Sequence, residues 1–366
     1  MDDEYDETID ISNIKSVSQL ALENKTTPID MSYLDEVFVK GFNANHLSAS
    51  QINTYISCPL KYLYSNKIRL QSPRQSEEGF DVMEQGSLMH LCYELFGRAI
   101  KDNHIKSTDT EELYSLMYEV SIEAYNHQDT VSPRGKEKFV ENIHHKIFLS
   151  TLQAGLIDDR KAGLLAKLVD YYIERAEDLE YFQNTEFEKE FFLDADLKPY
   201  QAIDKNDKGY FVKGFIDRFD NLEDQINIID YKSKKVGSKI HQETQDKIDD
   251  IKDVQLALYI LYASQEYPKD KYLSSLVSFK ADKKPDRKTG RKEYNFANLV
   301  KVGEEEIYNS EFENKLKELI FSTKESIENG EFGFNNSDEK MCGYCDMKYV
   351  CHESVLDKHQ IKEIKE

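Results

Sequence analysis

Apolar residues first recur with a helical period over residues 86–99, where Leu88, Leu91, Cys92, Leu95 and Phe96 fall on one stripe. Upstream, Ser48 or Ser50 is placed to cap a helix running through Tyr55, and Pro59, directly after Cys58, suits a helix boundary. A second long helix is predicted over 161–180, with Leu165, Leu168, Tyr172, Ala176 and Leu179 on one face. The region between about residues 100 and 185 therefore reads as mostly helical.

The pattern then changes to strand. Residues 187–193 are a candidate; 210–219 and 226–231 are stronger, joined by the polar link at 220–224. An apolar helix is predicted around 254–263 and a strand at 273–279, which leads into a basic loop at 280–292. A helix at 311–328 precedes a cluster of cysteines. Residues 1–45 are acidic and weakly periodic, and are expected to form a flexible arm rather than core.

The chemistry concentrates in the predicted hairpin Gly214-Phe215-Ile216-Asp217 … Ile228-Ile229-Asp230-Tyr231-Lys232. Alternate residues of a strand share a face, so Asp230 and Lys232 point the same way, and the hairpin brings Asp217 close to them. Charge at the end of a run of isoleucines is costly without partners. Two carboxylates and an ammonium group suit phosphodiester hydrolysis. Hard cations such as magnesium prefer carboxylate oxygens, and a lysine beside them orients water or offsets charge growing on the phosphate.

Composition sets limits around this site. Across 366 residues, hydrophobic types make up 39% and charged types 32%, a globular balance. The net charge of -21 opposes non-specific nucleic-acid binding by the surface at large, unless basic residues line one groove. Seven cationic residues between Lys280 and Lys292, with Lys234 and Lys235, are the candidates for phosphate contact. No apolar run reaches the length of a membrane span, and the acidic start lacks the basic end of a secretory signal. A cytoplasmic location is expected, where clustered cysteines are reduced and point to metal. Cys342, Cys345 and Cys351 are spaced C-x2-C-x5-C, one ligand short of a tetrahedral set, and Cys58 is the candidate fourth. Spacing leaves zinc and an iron–sulfur cluster both open. Cys92 falls on the apolar stripe and reads as core.

The ordered motifs resemble the RecB and AddB nuclease family of the PD-(D/E)xK type. G-F-I-D followed by I-I-D-Y-K-S is similar to the family's G-x-x-D hairpin and D-Y-K strand. Gly86-Ser87-Leu88-Met89-His90 resembles its G-x-x-x-H helix, and Gln255-Leu256-Ala257-Leu258-Tyr259 its Q-x-x-x-Y helix, in the family's order. The resemblance covers about residues 47–355. It implies an α/β restriction-endonuclease-like core, a central mixed sheet flanked by helices with a helical insertion, within a nuclease domain over 46–356. In that domain 46–185 would be mainly helical, 186–300 the catalytic core, and 301–356 a C-terminal helix and cysteine subdomain; 357–366 would be a tail.

The resemblance further implies a catalytic set of Asp217, Asp230, Lys232 and His90, with magnesium or manganese held at His90, Asp217, Asp230 and Tyr231. Gln255 and Tyr259 would position DNA. On an ideal helix His90 falls roughly opposite the Leu88/Leu91/Leu95 stripe, as a ligand would. Glu188 or Glu190 matches the family's acidic residue before the hairpin, with nothing to choose between them. The cysteine layout resembles the AddB-type staple, a [4Fe–4S] cluster on Cys58, Cys342, Cys345 and Cys351. His352 keeps structural zinc open as the alternative. The implied activity is metal-dependent DNA cleavage, as an exodeoxyribonuclease on single strands or free ends. No P-loop pattern occurs, so a separate helicase is the implied partner. A CRISPR-associated adaptation nuclease and a non-catalytic DNA-binding scaffold remain as other classes.

Overall fold

The computed structural model describes residues 44, 46–70, 80–103, 105, 109–127, 143–158, 160–174, 182–202, 207, 209–234, 238–280, 294–303, 306–333, 342, 345–347 and 351. The chain divides into two compact units: residues 45–53 and 74–320 form one, and residues 1–44, 54–73 and 321–366 the other. The acidic N-terminal arm apart from Ala44, which is buried, the tail at 357–366, Lys235, His352 and all of the basic loop beyond Lys280 lie outside the described residues.

Helix α1 (Ala49–Ser57) starts where the serines place it: the Gln51 N–H donates to Ser48 Oγ (3.2 Å) and the Ser48 N–H donates to Gln51 Oε1 (3.0 Å). Helix α2 (Pro59–Tyr62) follows with proline at its first turn, and the Lys61 N–H donates to the Sγ of Cys58.

In the larger unit, α3 (Val82–Asp102) begins with a reciprocal cap between Asp81 and Glu84 and carries the predicted stripe. Leu88, Cys92 and Phe96 are fully buried, while Leu91 and Leu95 pack partly buried against the same core. Around α3 lie α4 (Thr110–Asn126), α5 (Ile143–Leu152) and α6 (Leu164–Glu174), so the predicted helical region is mostly helical where it is described, with turns and irregular chain between residues 153 and 163. The predicted helix at 161–180 is seen from Leu164 to Glu174; Ala176 and Leu179 lie outside the described residues.

The sheet is mixed and five-stranded, in the order β1 (Thr185–Leu193), β2 (Val212–Asn221), β3 (Gln225–Tyr231), β4 (Lys271–Val277) and β5 (Asn295–Lys301). Only β3 and β4 run parallel; the other neighbours are antiparallel. The parallel step needs a crossover, supplied by α7 (Ser238–Asp249) and the buried α8 (Gln255–Glu266). Helix α9 (Ser310–Glu328) follows β5. Neither β5 nor α7 is foreseen by the hydrophobic pattern. Asp220 and Asn221, expected in the turn, both end β2 instead.

The reason lies in a buried ion pair. Arg218 Nε meets Asp220 Oδ1 at 2.8 Å, and Thr185 Oγ1 donates to that same oxygen at 2.6 Å. The guanidinium lies over the Tyr172 and Phe182 rings. The Asp220 carboxylate, which reads as part of a loop, is thus satisfied inside the protein, while Asn221 Oδ1 and Arg218 Nη1 are buried with no hydrogen-bond partner among the described residues. Two glycines permit close packing: a Cβ on Gly97 would meet the Phe187 ring at 2.1 Å, and one on Gly214 the Phe191 ring at 2.4 Å.

Candidate metal centre

Strands β2 and β3 pair only from Arg218/Ile229 to Asn221/Ile226 and then part. Leu47 takes up the other end of β2: its N–H donates to Phe211 O and its carbonyl accepts from the Lys213 N–H, each at 2.9 Å. Asp217 and Asp230 stand at the fork between these two pairings. The Tyr231 N–H donates to Asp217 Oδ2 at 2.7 Å, holding that carboxylate across the opening.

His90, on α3, comes to the same place, with Nδ1 3.3 Å from Asp217 Oδ2. Glu188 arrives from β1. One ligand atom from each of His90, Glu188 and Asp217 lies within 4.8 Å of the others. This decides between the two glutamates, because Glu190 instead pairs with Lys213 at 2.5 Å. The signal that separates them is not local: Glu188 faces Asp217 because the register sets Phe187 against Arg218 and Lys189 against Ile216. Glu188 also has φ 49°, a left-handed conformation that costs a non-glycine residue about 1–3 kcal/mol.

The second carboxylate is buried and braced. Asp230 Oδ2 meets Lys232 Nζ at 2.6 Å. Gln255 donates from Nε2 to Asp230 Oδ1 (2.7 Å), and its Oε1 accepts from Lys232 Nζ (2.9 Å). Tyr259, one helical turn on, lies 2.9 Å from Gln255 Nε2 and donates to the Phe215 carbonyl at 2.8 Å. The start of α8 is fixed from far along the chain. Asn53 accepts from the Val254 N–H and donates to Asp253 Oδ1, which in turn accepts from the Gln255 N–H.

Tyr231 contributes differently from a side-chain ligand. Its hydroxyl meets Tyr172 OH at 2.8 Å in the core, so only its main chain can serve the site. Of the cationic candidates, Lys234 is exposed and Lys280 precedes the undescribed loop. Arg98 and Lys101 of α3 donate to the Phe187 and Thr185 carbonyls, covering the outer edge of β1 beside an open groove that reaches Glu188.

The electrostatics are those of crowded acids. Burial pushes Glu188 up to about 7, with Asp217 adding to the shift and His90 opposing it. Burial also raises Asp230, against the pull of Lys232. Burial alone would lower His90, but Asp217 outweighs it, helped by Asp230 and Glu188, and holds the imidazole up to about 9. Lys232 is raised in the same way: burial works against the charge and Asp230 prevails, so the ammonium stays protonated. A divalent cation would relieve these like charges, and an imidazole nitrogen with carboxylate oxygens is a donor set that magnesium or manganese accepts.

The other predicted ligands lie in the smaller unit. Cys58, Cys342, Cys345 and Cys351 are each half-buried, and none is in a disulfide. The Cys345 N–H donates to the Cys342 carbonyl at 3.3 Å. Cys92 is fully buried in the larger unit, where burial pushes its thiol up to about 12, as expected of a packing residue.

A family model described as the PD-(D/E)XK nuclease superfamily matches residues 46–352. Curated relatives include a subunit of an "ATP-dependent helicase/deoxyribonuclease" from Listeria monocytogenes, 23% identical over 222 residues, 59% of this chain and 18% of that protein. A protein of the same name from Carboxydothermus hydrogenoformans is 25% identical over 268 residues, 70% of this chain and 22% of its own length. The chain thus spans about a fifth of the length of the curated relatives it matches. The solved structure of SSO0001 covers 76% of this chain and 89% of its own at 14% identity, with a TM-score of 0.25.

Proposed function

The chain belongs to the PD-(D/E)XK nuclease superfamily, and from that premise we propose that it hydrolyses DNA phosphodiester bonds at the fork between β2 and β3. The observation that carries this reading is the convergence of His90, Glu188 and Asp217 within 4.8 Å, next to the Asp230–Lys232 pair. His90, Glu188, Asp217 and Asp230 are the residues that would hold magnesium or manganese, with the Tyr231 carbonyl as the further main-chain donor. When bound, the cation polarises a phosphoryl oxygen and acidifies its water.

The chain's own groups do the rest. Lys232, kept protonated by Asp230, offsets charge developing on the phosphate. Gln255 holds that lysine and Asp230 in one arrangement, and Tyr259 ties Gln255 to the β2 main chain. His90 serves as a ligand once it has given up its proton.

In this reading the enzyme is an exodeoxyribonuclease of a repair, recombination or defence system, working with a separate helicase. The support for the partner is the name of its relatives, which couples helicase and deoxyribonuclease. Cys58, Cys342, Cys345 and Cys351 would hold a [4Fe–4S] cluster, zinc being the other outcome of a metal determination. Their support is that all four belong to one compact unit and none is in a disulfide. Among the described residues, no helix is long and apolar enough to cross a membrane.

End-labelled DNA, incubated with the protein and magnesium or manganese, should be cleaved by the parent and not by Asp230→Ala. Cleavage that persists in Asp230→Ala, or that proceeds equally in a chelator, would remove the site from the reaction.

A further inference from the structure

Two residues before Asp217 on β2, Phe215 has 46% of its surface exposed, although it adjoins a largely buried catalytic fork. It is held in that position from three sides. Its carbonyl accepts from Tyr259 OH, the hydroxyl that also braces Gln255. Its neighbour Gly214 is pinned under the Phe191 ring, with no room for a Cβ. Lys213 Nζ lies 4.9 Å over the Phe215 ring and 5.3 Å over the Phe192 ring. Phe192 packs against Tyr210 at 4.8 Å, and Tyr210 against His46 at 4.4 Å. A supported row of rings therefore ends in one exposed aromatic face beside the metal centre.

Charge does not explain this row as an attractor of phosphate. Lys213 is neutralised by Glu190, which pairs with Phe215 in the β1–β2 register. The chain as a whole carries -21. With Lys213 paired to Glu190, strand affinity at this row needs a source other than phosphate charge. Base–aromatic stacking is such a source, and it is insensitive to sequence because every base has a ring face. Two residues of strand span about 6–7 Å, roughly the reach of one extended nucleotide.

Resting on the reading of the fork as the nuclease site of an enzyme that takes a DNA single strand, we propose that Phe215 is the stacking platform for the base next to the scissile phosphate. A base in a duplex is already stacked and paired on both sides, and cannot lie on this ring without being freed. Lys213 holds the ring in place through its cation–π contact while Glu190 holds Lys213.

The test uses anisotropy of a labelled oligothymidine in chelator, which reads binding apart from cleavage. Phe215→Ala should weaken binding about tenfold or more, and Phe215→Tyr should restore it, since the loss of one stacked base is worth that much. A strand carrying one abasic residue, moved position by position, should lose affinity at one position with the parent protein. It should lose none there with Phe215→Ala. Equal binding and an unchanged abasic profile in Phe215→Ala would overturn the proposal, as would tighter binding of blunt duplex than of single strand by the parent. Cleavage by the parent alongside an unaltered Phe215→Ala profile would discard the platform and leave the nuclease reading intact. Absence of metal-dependent cleavage in the parent would discard the nuclease reading itself.

Discussion

Glu188 and Asp217 face each other across β1 and β2, with an oxygen of each within 4.8 Å, and Glu188 holds this position in a left-handed backbone conformation, φ 49°. Both features, crowded carboxylates and a strained backbone, oppose folding, and in the proposed function both would be offset by a bound cation.

Glu188→Gly should therefore separate stability from activity. Glycine adopts the left-handed conformation without strain and removes a crowded charge. Without metal, its melting temperature should equal or exceed that of the parent, while the metal concentration for half-maximal cleavage should rise about tenfold or more. Lower metal-free stability together with a normal metal titration would contradict this role.

The pH dependence has a definite sign. Glu188 titrates at about 7 in the fold against 4.5 in its ordinary state, and His90 at about 9 against 6.5. The folded, metal-free protein therefore holds more protons than the unfolded chain between about pH 4.5 and 9, and its stability falls as pH rises through that window. A cation replaces those protons, so the rise in melting temperature on adding manganese should be larger at pH 9 than at pH 6. Melts across pH with and without manganese measure it; an equal rise at both values would refute it.

Lys232→Ala should lower kcat by about a hundredfold or more, as expected when a group that stabilises transition-state charge is lost. Gln255→Ala should cost less, because Asp230 still holds the lysine at 2.6 Å. Single-turnover rates at saturating DNA give the comparison, and a Gln255→Ala defect larger than that of Lys232→Ala would reverse these roles.

Asp220→Ala should destabilise the protein by about 3–5 kcal/mol, since it leaves the Arg218 charge buried and uncompensated. Thr185→Val should cost about 1 kcal/mol for its hydrogen bond. Denaturant unfolding of both variants tests this, and near-parent stability of Asp220→Ala would show that Arg218 finds another partner.

Cys58→Ser and Cys345→Ser should lose metal to the same extent, whereas Cys92→Ala should keep it and lose only stability. Anaerobically purified parent should be brown and carry about four irons per chain. One zinc and no iron would replace the cluster with a zinc staple; full metal in Cys58→Ser would remove Cys58 from the ligand set.

By itself the sequence determined the elements whose residues declare their own environment. The stripe on α3, the strands either side of the hairpin and the apolar α8 were legible because burial selects residues with the local period of helix or strand. The candidate site residues were legible through short motifs: Asp230 and Lys232 share a face by strand alternation, and Asp217 stood out through the G-x-x-D resemblance. Tertiary structure alone decided the rest. It chose Glu188 over Glu190, because identical side chains two apart on one strand differ only in what the neighbouring strand sets opposite them. It placed Asp220 inside the protein, because Thr185 on β1 and the rings that cover the adjacent Arg218, Tyr172 and Phe182, are brought there by packing and not by neighbouring sequence. It put an exposed Phe215 beside the fork, because exposure is set by where β2 and β3 part. It also supplied Asn53 as the acceptor for the Val254 N–H at the start of α8 from about two hundred residues away, a hydrogen bond with no periodicity to announce it.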